Sequence, residues 1–281
     1  MPIERRIDAH HHVWDLAVRD QPWTADLPPL RRSFALSDVQ PALAANHFDR
    51  TVIVQTITVA DETPELLGIA AAEPIVAGVV GWVDLTARDV PTRLAALRAQ
   101  PGGETLVGIR HQVQGESDPR WLCRPDVRRG LAAVAEAGLA YDLLVVPSQL
   151  AAAVETVQFL PQLRFVLDHA AKPDIAHGAL DPWRAQIAAL GARPNVAAKL
   201  SGLVTETDTW TVDRLRPYAD VLIEAFGAER IMFGSDWPVC LLAASYDEWV
   251  AAAGELTSGL SASERAAVFG GTAAHWYRLA A

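Results

Sequence analysis

Apolar runs and amphipathic runs alternate along the whole chain. Eight runs rich in Val, Ile and Leu read as strands: Arg6–His10, Thr51–Ile57, Ile75–Val83, Leu106–Gln112, Ala140–Val146, Arg164–Asp168, Asn195–Leu200 and Arg230–Gly234. Most lack a clean apolar–polar alternation, as expected of strands buried on both faces. Segments with helical spacing fit between them. Ser148 is placed to cap a helix ending near Phe159, ahead of Pro161. Asp181-Pro182 reads as a cap followed by proline at the first helical position, with Gly191 as the end. Val212–Phe226 puts Leu215, Ala219, Leu222 and Phe226 on one face, and Gly227 stops it. Val127, Leu131 and Val134 repeat that spacing before Gly138. Repeated strand–helix units predict a parallel sheet. Eight of them predict an α/β fold, a (β/α)8 TIM-like barrel, with residues 1–281 as a single domain. An open doubly wound sheet is the alternative, but no G-x-G-x-x-G follows the first strand.

One connection breaks the rhythm. The segment Val13–Arg50 contains no run read as a strand or helix, and it carries Trp14, Pro22, Trp23, Pro28, Pro29 and the pair Arg31-Arg32. Long loops in compact domains tend to be functional or disordered, and barrel βα loops build the active-site face. This one reads as a loop that covers a substrate, with ordinary packing over the barrel mouth as the alternative.

Composition narrows the classes of partner. The formal charge is −10 and no run of Lys and Arg exceeds two, which argues against nucleic-acid binding. No uninterrupted apolar run approaches the ~20 residues of a membrane span. The first strand begins within ten residues of Met1, leaving no room for a signal peptide. Cys123 and Cys240 are the only cysteines, so a reduced, cytoplasmic setting is expected. The partner expected is a small molecule, and a homo-oligomer is compatible with the sequence.

The candidate chemistry lies at strand ends. His10 and His12 stand two apart and point to one side of the first strand. Two imidazoles there can bind zinc or a similar divalent ion, or act as hydrogen-bond donors. His11 should face away. Asp168-His169 ends the sixth strand and Asp236 the eighth, where barrel enzymes keep catalytic residues. Asp236 can bind a metal and take the proton of an attacking water; a helix cap is its plainer role. Arg110 and His111 end strand four, and either can polarise a carbonyl or hold a substrate. They alternate in direction, so only one should turn inward. Asp142 lies inside an apolar strand and needs a partner, either substrate or an ion pair with Arg110 or Lys199. Lys199 at the end of strand seven, Asp84 after strand three, and Trp14 and Trp237 complete a ring of expected substrate contacts around the mouth.

Taken together, Ile7-Asp8-Ala9-His10-His11-His12, Gly81-Trp82-Val83-Asp84-Leu85, Gly108-Ile109-Arg110-His111, Asp168-His169-Ala170-Ala171-Lys172-Pro173, Lys199-Leu200-Ser201-Gly202 and Gly234-Ser235-Asp236-Trp237-Pro238 resemble motifs of the amidohydrolase superfamily. Within it they look like the sugar-lactone hydrolases of the L-fuconolactonase and L-rhamnonolactonase type. The resemblance covers nearly the whole chain. It implies a distorted barrel, with divalent metal held by the H-x-H pair, further histidines and the last-strand aspartate: here His10, His12, His169 and Asp236. Relatives often have Gln between the two histidines, where this chain has His11. No lysine bridge for two metals is evident, since strand four ends in Arg110-His111, so one ion is expected. Nitrogen and oxygen ligands suit zinc, with manganese as the alternative. Relatives differ in whether a metal is needed, and without one the same histidines would polarise the carbonyl.

The reaction these residues imply is opening of a sugar-derived lactone to its hydroxy acid. Asp236 would be the general base, with His169 and His111 as its catalytic partners. A metal-dependent decarboxylase of an unsaturated acid is the second reading, with Arg31, Arg32 or Arg110 as a carboxylate clamp. A barrel that binds sugar acids without turnover is the third.

Overall fold

Among residues 5–280, which the computed structural model describes, eight parallel strands pair strictly in chain order. They are β1 (Arg6–His11), β2 (Phe48–Val54), β3 (Val76–Gly81), β4 (Leu106–His111), β5 (Ala140–Leu143), β6 (Arg164–Leu167), β7 (Val196–Leu200) and β8 (Ile231–Phe233). The helices α1 (Leu36–Ala45), α2 (Glu62–Ala72), α3 (Val90–Arg98), α4 (Pro125–Glu136), α5 (Leu150–Phe159), α6 (Trp183–Gly191), α7 (Val212–Phe226) and α8 (Tyr246–Leu256) pack outside them. No described helix is long and apolar enough to cross a membrane.

Backbone contacts close the ring between β8 and β1. The Asp236 N–H donates to the His10 carbonyl at 2.8 Å, and the His12 N–H donates to the Trp237 carbonyl at 2.7 Å. Asp8 reinforces this seam. Its carboxylate accepts from the backbone N–H groups of Ser235 at 2.9 Å and His10 at 3.2 Å, and from the Tyr246 hydroxyl at 3.1 Å. Burial outweighs these donors and raises the Asp8 carboxyl to about 6.

Two buried layers explain why the strands read as continuous apolar runs. Val52, Val54, Val80, Ala140, Val166, Ala197 and Met232 cluster inside the barrel with Trp276, the last residue of the C-terminal helical segment 262–276, and with Tyr277 just beyond it, and these two rings plug its floor. Ile53, Val79, Ile109, Tyr141, Phe165 and Phe233 belong to the layer beneath the helices. With both faces dry, alternation disappears from the sequence.

The expected boundaries shift in physically clear ways. Strand β2 starts earlier, at Phe48, because that ring is buried and stacks on Phe233 at 5.1 Å. The ends of β3 and β5 are shorter, since the chain leaves the sheet to build the mouth. Ser148 does not cap α5; it lies in the turn Pro147–Gln149 ahead of Leu150. Pro182 precedes α6 rather than opening it. The segment 13–50 is not one loop, because its second half is α1, with Leu36, Val39 and Leu43 buried, followed by the start of β2.

Two glycines test the packing. Gly68 in α2 is exposed and a Cβ added there would have nothing within 4 Å, so Gly68→Ala should stabilise the protein by about 0.5–1 kcal/mol through helix propensity. Gly130 in α4 lies against the Leu85 backbone, where a Cβ would stand 2.8 Å from Cα and 2.9 Å from C. Gly130→Ala should cost about 1–3 kcal/mol despite the same propensity gain. Urea unfolding of the two variants would show opposite signs.

Candidate active site

The C-terminal ends of β1, β6 and β8 bring His10, His12, His169 and Asp236 together. Asp236 Oδ1 lies 3.6 Å from His10 Nε2, 3.3 Å from His12 Nε2 and 3.8 Å from His169 Nε2. All four side chains are buried. Burial alone would raise the Asp236 carboxyl, but the His169, His12 and His10 rings facing it win and hold it well below the usual carboxylate range. Burial also lowers His169 to about 4, so its ring is neutral at ordinary pH.

Each imidazole is aimed by a second contact. His12 Nδ1 lies 2.7 Å from the Val54 carbonyl, which can only accept, so Nδ1 carries the proton and Nε2 offers a lone pair. His169 Nδ1 lies 2.9 Å from Ser201 Oγ. His169 also opens a run of four non-glycine residues in the left-handed region, with φ of 50° at His169, 52° at Ala170, 58° at Ala171 and 53° at Lys172. Such residues cost roughly 1–2 kcal/mol each. The run is pinned by the Trp183 indole N–H donating to the Ala170 carbonyl at 2.7 Å, and it turns His169 across the barrel toward Asp236. Asp236 is itself left-handed, at φ 56°.

Beneath the cluster lies a charged floor. Arg110 turns inward, and its guanidinium donates to Asp168 Oδ2 at 3.0 Å and to the Gln55 carbonyl. Lys199 Nζ is 2.5 Å from Asp142 Oδ2, 3.0 Å from Asp168 Oδ1 and 3.0 Å from His10 Nδ1. The Tyr277 hydroxyl donates to Asp142 from below, 2.7 Å from Oδ2. Burial pushes Asp142 up to about 6 in spite of Lys199. Asp168 is also opposed by burial, yet Lys199, His10 and Arg110 together hold it well below its usual range.

Several expected substrate contacts therefore sit elsewhere. Arg110, Asp142 and Lys199 are enclosed, and all their polar atoms except Arg110 Nε are engaged by neighbouring protein groups. His111 points away from Asp236. Its Nδ1 accepts from the Trp82 indole at 3.0 Å, its Nε2 faces Glu116 at 2.8 Å, and its ring stacks on Trp121 at 4.2 Å. Trp14 and Trp237 are almost wholly buried and pack edge-on against Phe34 at 5.0 Å and 5.4 Å. Asp84 accepts from the Thr86 backbone and hydroxyl, tying its own turn. His11 is buried with neither ring nitrogen partnered; burial, helped by His12, lowers it to about 3.

Other positioning residues stand outside the set expected from sequence. Ser201 and Gly202 lie two and three residues after Lys199, and Gly202 leaves room for the His169 ring. Glu62, buried at the start of α2, accepts from the Thr56 and Ile57 N–H groups at 2.9 Å and 3.1 Å and so fixes the chain just beyond Val54. Nothing in the sequence near Glu62 signals this role.

The donor set fits a divalent cation. His10, His12 and Asp236 offer ligand atoms within 4.8 Å of one another, as do His10, Asp168 and His169. Three imidazoles and one carboxylate match the composition of zinc sites in hydrolases. A Cβ on Gly202 would stand 2.7 Å from His169 Cγ and Nδ1, and Gly202 has φ +68°. Gly202→Ala and Ser201→Ala should each weaken zinc binding by about 10–100-fold, read by calorimetric titration, because both release the aim of His169.

Comparison with known proteins identifies the family. The amidohydrolase family model matches residues 7–279. An L-fucono-1,5-lactonase of Burkholderia ambifaria is 40% identical over 280 residues, covering 98% of this chain and 96% of that protein. An L-fucono-1,5-lactonase of Burkholderia multivorans is 41% identical over 290 residues, with the same shares. A crystal structure of a Burkholderia multivorans amidohydrolase with bound zinc superposes with a TM-score of 0.92 at 40% identity, covering 98% of this chain and all of that one. The chain, a hydrolytic enzyme, belongs to the amidohydrolase family.

Proposed function

We propose that this enzyme hydrolyses a sugar-derived lactone, an aldonolactone of the fuconolactone class, to its hydroxy acid. The observation that carries the reading is the Asp236 carboxylate enclosed by three imidazoles at the mouth of a barrel that is 40% identical over nearly its whole length to an L-fucono-1,5-lactonase.

Asp236 acts as the base. Its carboxylate stays ionised at working pH and accepts a proton as a water oxygen attacks the lactone carbonyl carbon. The ring carbon–oxygen bond then breaks. The departing alkoxide takes the proton back from the Asp236 carboxyl, which restores the carboxylate and leaves the hydroxy acid. His169, held by Ser201, and His12, held by Val54, keep that carboxylate in place throughout. A divalent ion held by His10, His12, His169 and Asp236 would supply Lewis-acid polarisation of the carbonyl, and zinc suits these ligands. Arg110, Asp142 and Lys199 act from the floor, on the cluster rather than on the substrate. His111 is assigned to the rim with Trp82, Trp121 and Asp84. The setting proposed is cytoplasmic, in line with the unpaired Cys123 and Cys240.

The decarboxylase reading has less support: Arg110 is occupied by Asp168 and the Gln55 carbonyl, Arg31 donates to Asp20 and the Gln21 carbonyl, and Arg32 lies over the Phe34 ring. A pH-indicator assay on a panel of aldonolactones separates the readings. Wild type should release acid, and Asp236→Asn should lower kcat by about 100-fold or more. No acid from any lactone, or near-wild-type turnover by Asp236→Asn, would overturn the assignment.

A further inference from the structure

His10 sits in a chain of hydrogen bonds whose two ends have fixed polarity. Lys199 Nζ lies 3.0 Å from His10 Nδ1, His10 Nε2 lies 3.2 Å from His12 Nε2, and His12 Nδ1 lies 2.7 Å from the Val54 carbonyl. An ammonium group only donates and a carbonyl only accepts. The carbonyl therefore makes His12 Nδ1 the protonated nitrogen and His12 Nε2 an acceptor. At the other end, the ammonium makes His10 Nδ1 an acceptor and places the proton on His10 Nε2. Along this chain the two assignments agree, because His10 Nε2–H donates to the His12 Nε2 lone pair.

The opposite tautomer meets a cation head-on. A proton on His10 Nδ1 would face the Lys199 ammonium at 3.0 Å, and the acceptor for it would be Asp168 Oδ1, at 3.4 Å and otherwise without a hydrogen bond. Arg110 Nη1 lies 3.3 Å from His10 Nε2, but it is closer to Asp168 Oδ2, at 3.0 Å. A neutral imidazole has one acceptor nitrogen, so only one of these two cations can donate to it. The shorter contact is with Lys199, whose ammonium group donates to Asp142 Oδ2 and to His10 Nδ1 and has Asp168 Oδ1 as a further ion-pair neighbour at 3.0 Å.

We infer that Lys199 is a positioning residue that fixes His10 in the Nε2–H tautomer and thereby holds down the affinity of the cluster for a divalent cation. Ligation through His10 Nε2 requires that proton to leave, and the His10–His12 hydrogen bond is lost with it. Without Lys199, His10 Nδ1–H can donate to Asp168 and the Nε2 lone pair is free. The inference rests on the cation-binding reading of the cluster and not on the identity of the substrate.

Two measurements test it, and neither uses lactone hydrolysis. Long-range nitrogen–proton NMR of the cation-free wild type, with the His10 signals assigned by their loss in His10→Gln, should show Nε2 protonated and Nδ1 bare. Zinc titration of the Lys199→Met, Asp142→Asn double variant should show binding tighter than wild type by about tenfold or more. That pair keeps the floor neutral, and the amide oxygen introduced by Asp142→Asn still accepts from the Tyr277 hydroxyl. A protonated Nδ1 in wild type overturns the inference, and so does zinc affinity that is unchanged or weaker in a folded double variant. If the variant does not fold, the wild-type spectrum decides alone. A failed lactone assay beside the expected spectrum and titration would sink the proposed substrate while leaving Lys199 its role.

Discussion

The backbone seam between β8 and β1 is the constraint on which the rest of the structure depends. The hydrogen bonds of Asp236 to His10 and of His12 to Trp237 close the barrel, and the residues that make them also carry the reactive side chains. Closure and assembly of the site are thus a single event. In an open sheet, the first and last strands would lie at opposite edges and Asp236 would never meet the H-x-H pair. Asp8 secures the seam from behind by joining β1 to Ser235 and to Tyr246 on α8. The helix after the last strand therefore helps hold the first.

Beneath the seam, two cations and two anions share the dry interior. Burying any of them alone would cost several kcal/mol. Here Arg110 and Lys199 balance Asp142 and Asp168, and Lys199 and Asp168 each bridge more than one partner. Most of their polar atoms are thereby occupied within the floor, although Arg110 Nε and Asp168 Oδ1 have no hydrogen-bond partner. The floor works by setting the orientation and polarity of His10, while Asp236 keeps its own charge through the three imidazoles above. The left-handed run from His169 to Lys172 obeys the same logic, since its strain is tolerated only because Trp183, Ser201 and the packing of two buried alanines over-determine it.

The barrel was legible because strands buried on both faces produce apolar runs, and a polar residue inside such a run stands out. Arg110, Asp142 and Lys199 were visible on that ground. Their partners were not, because the contacts run across the barrel between β4 and β6 and between β5 and β7, which no local spacing encodes. The choice between Arg110 and His111 depended on the facing of β4 and stayed open until the strand could be seen. His10, His12, His169 and Asp236 could be named from strand ends and from the family resemblance. The means by which His169 arrives could not, since four left-handed residues occur there without a single glycine. Helix α1 was hidden within the segment 13–50, where Leu36, Val39 and Leu43 have helical spacing but Pro41 interrupts the pattern.

What remains of that segment couples the rim to the base. Trp14 and Phe34 exchange backbone hydrogen bonds at 2.9 Å and 2.8 Å, which ties the loop at its neck. Phe34 then packs on Trp237, the residue that follows Asp236. The aromatic side chains expected to stack on a sugar instead form a wall between the loop and the catalytic strand end. A cavity of about 710 Å³ lies on the far side of this wall, bordered by Trp14, Phe34 and Glu62, and none of the cluster residues lines it. The cluster itself joins a carboxylate, three imidazoles and a balanced floor. Discrimination among lactones must then come from the loops above it, because function on this fold resides in the loops and the strands only aim the chemistry. A change in the 13–35 loop reaches Asp236 through Phe34 and Trp237, so substitutions there should alter turnover as well as substrate preference, the two being joined by a pair of aromatic contacts.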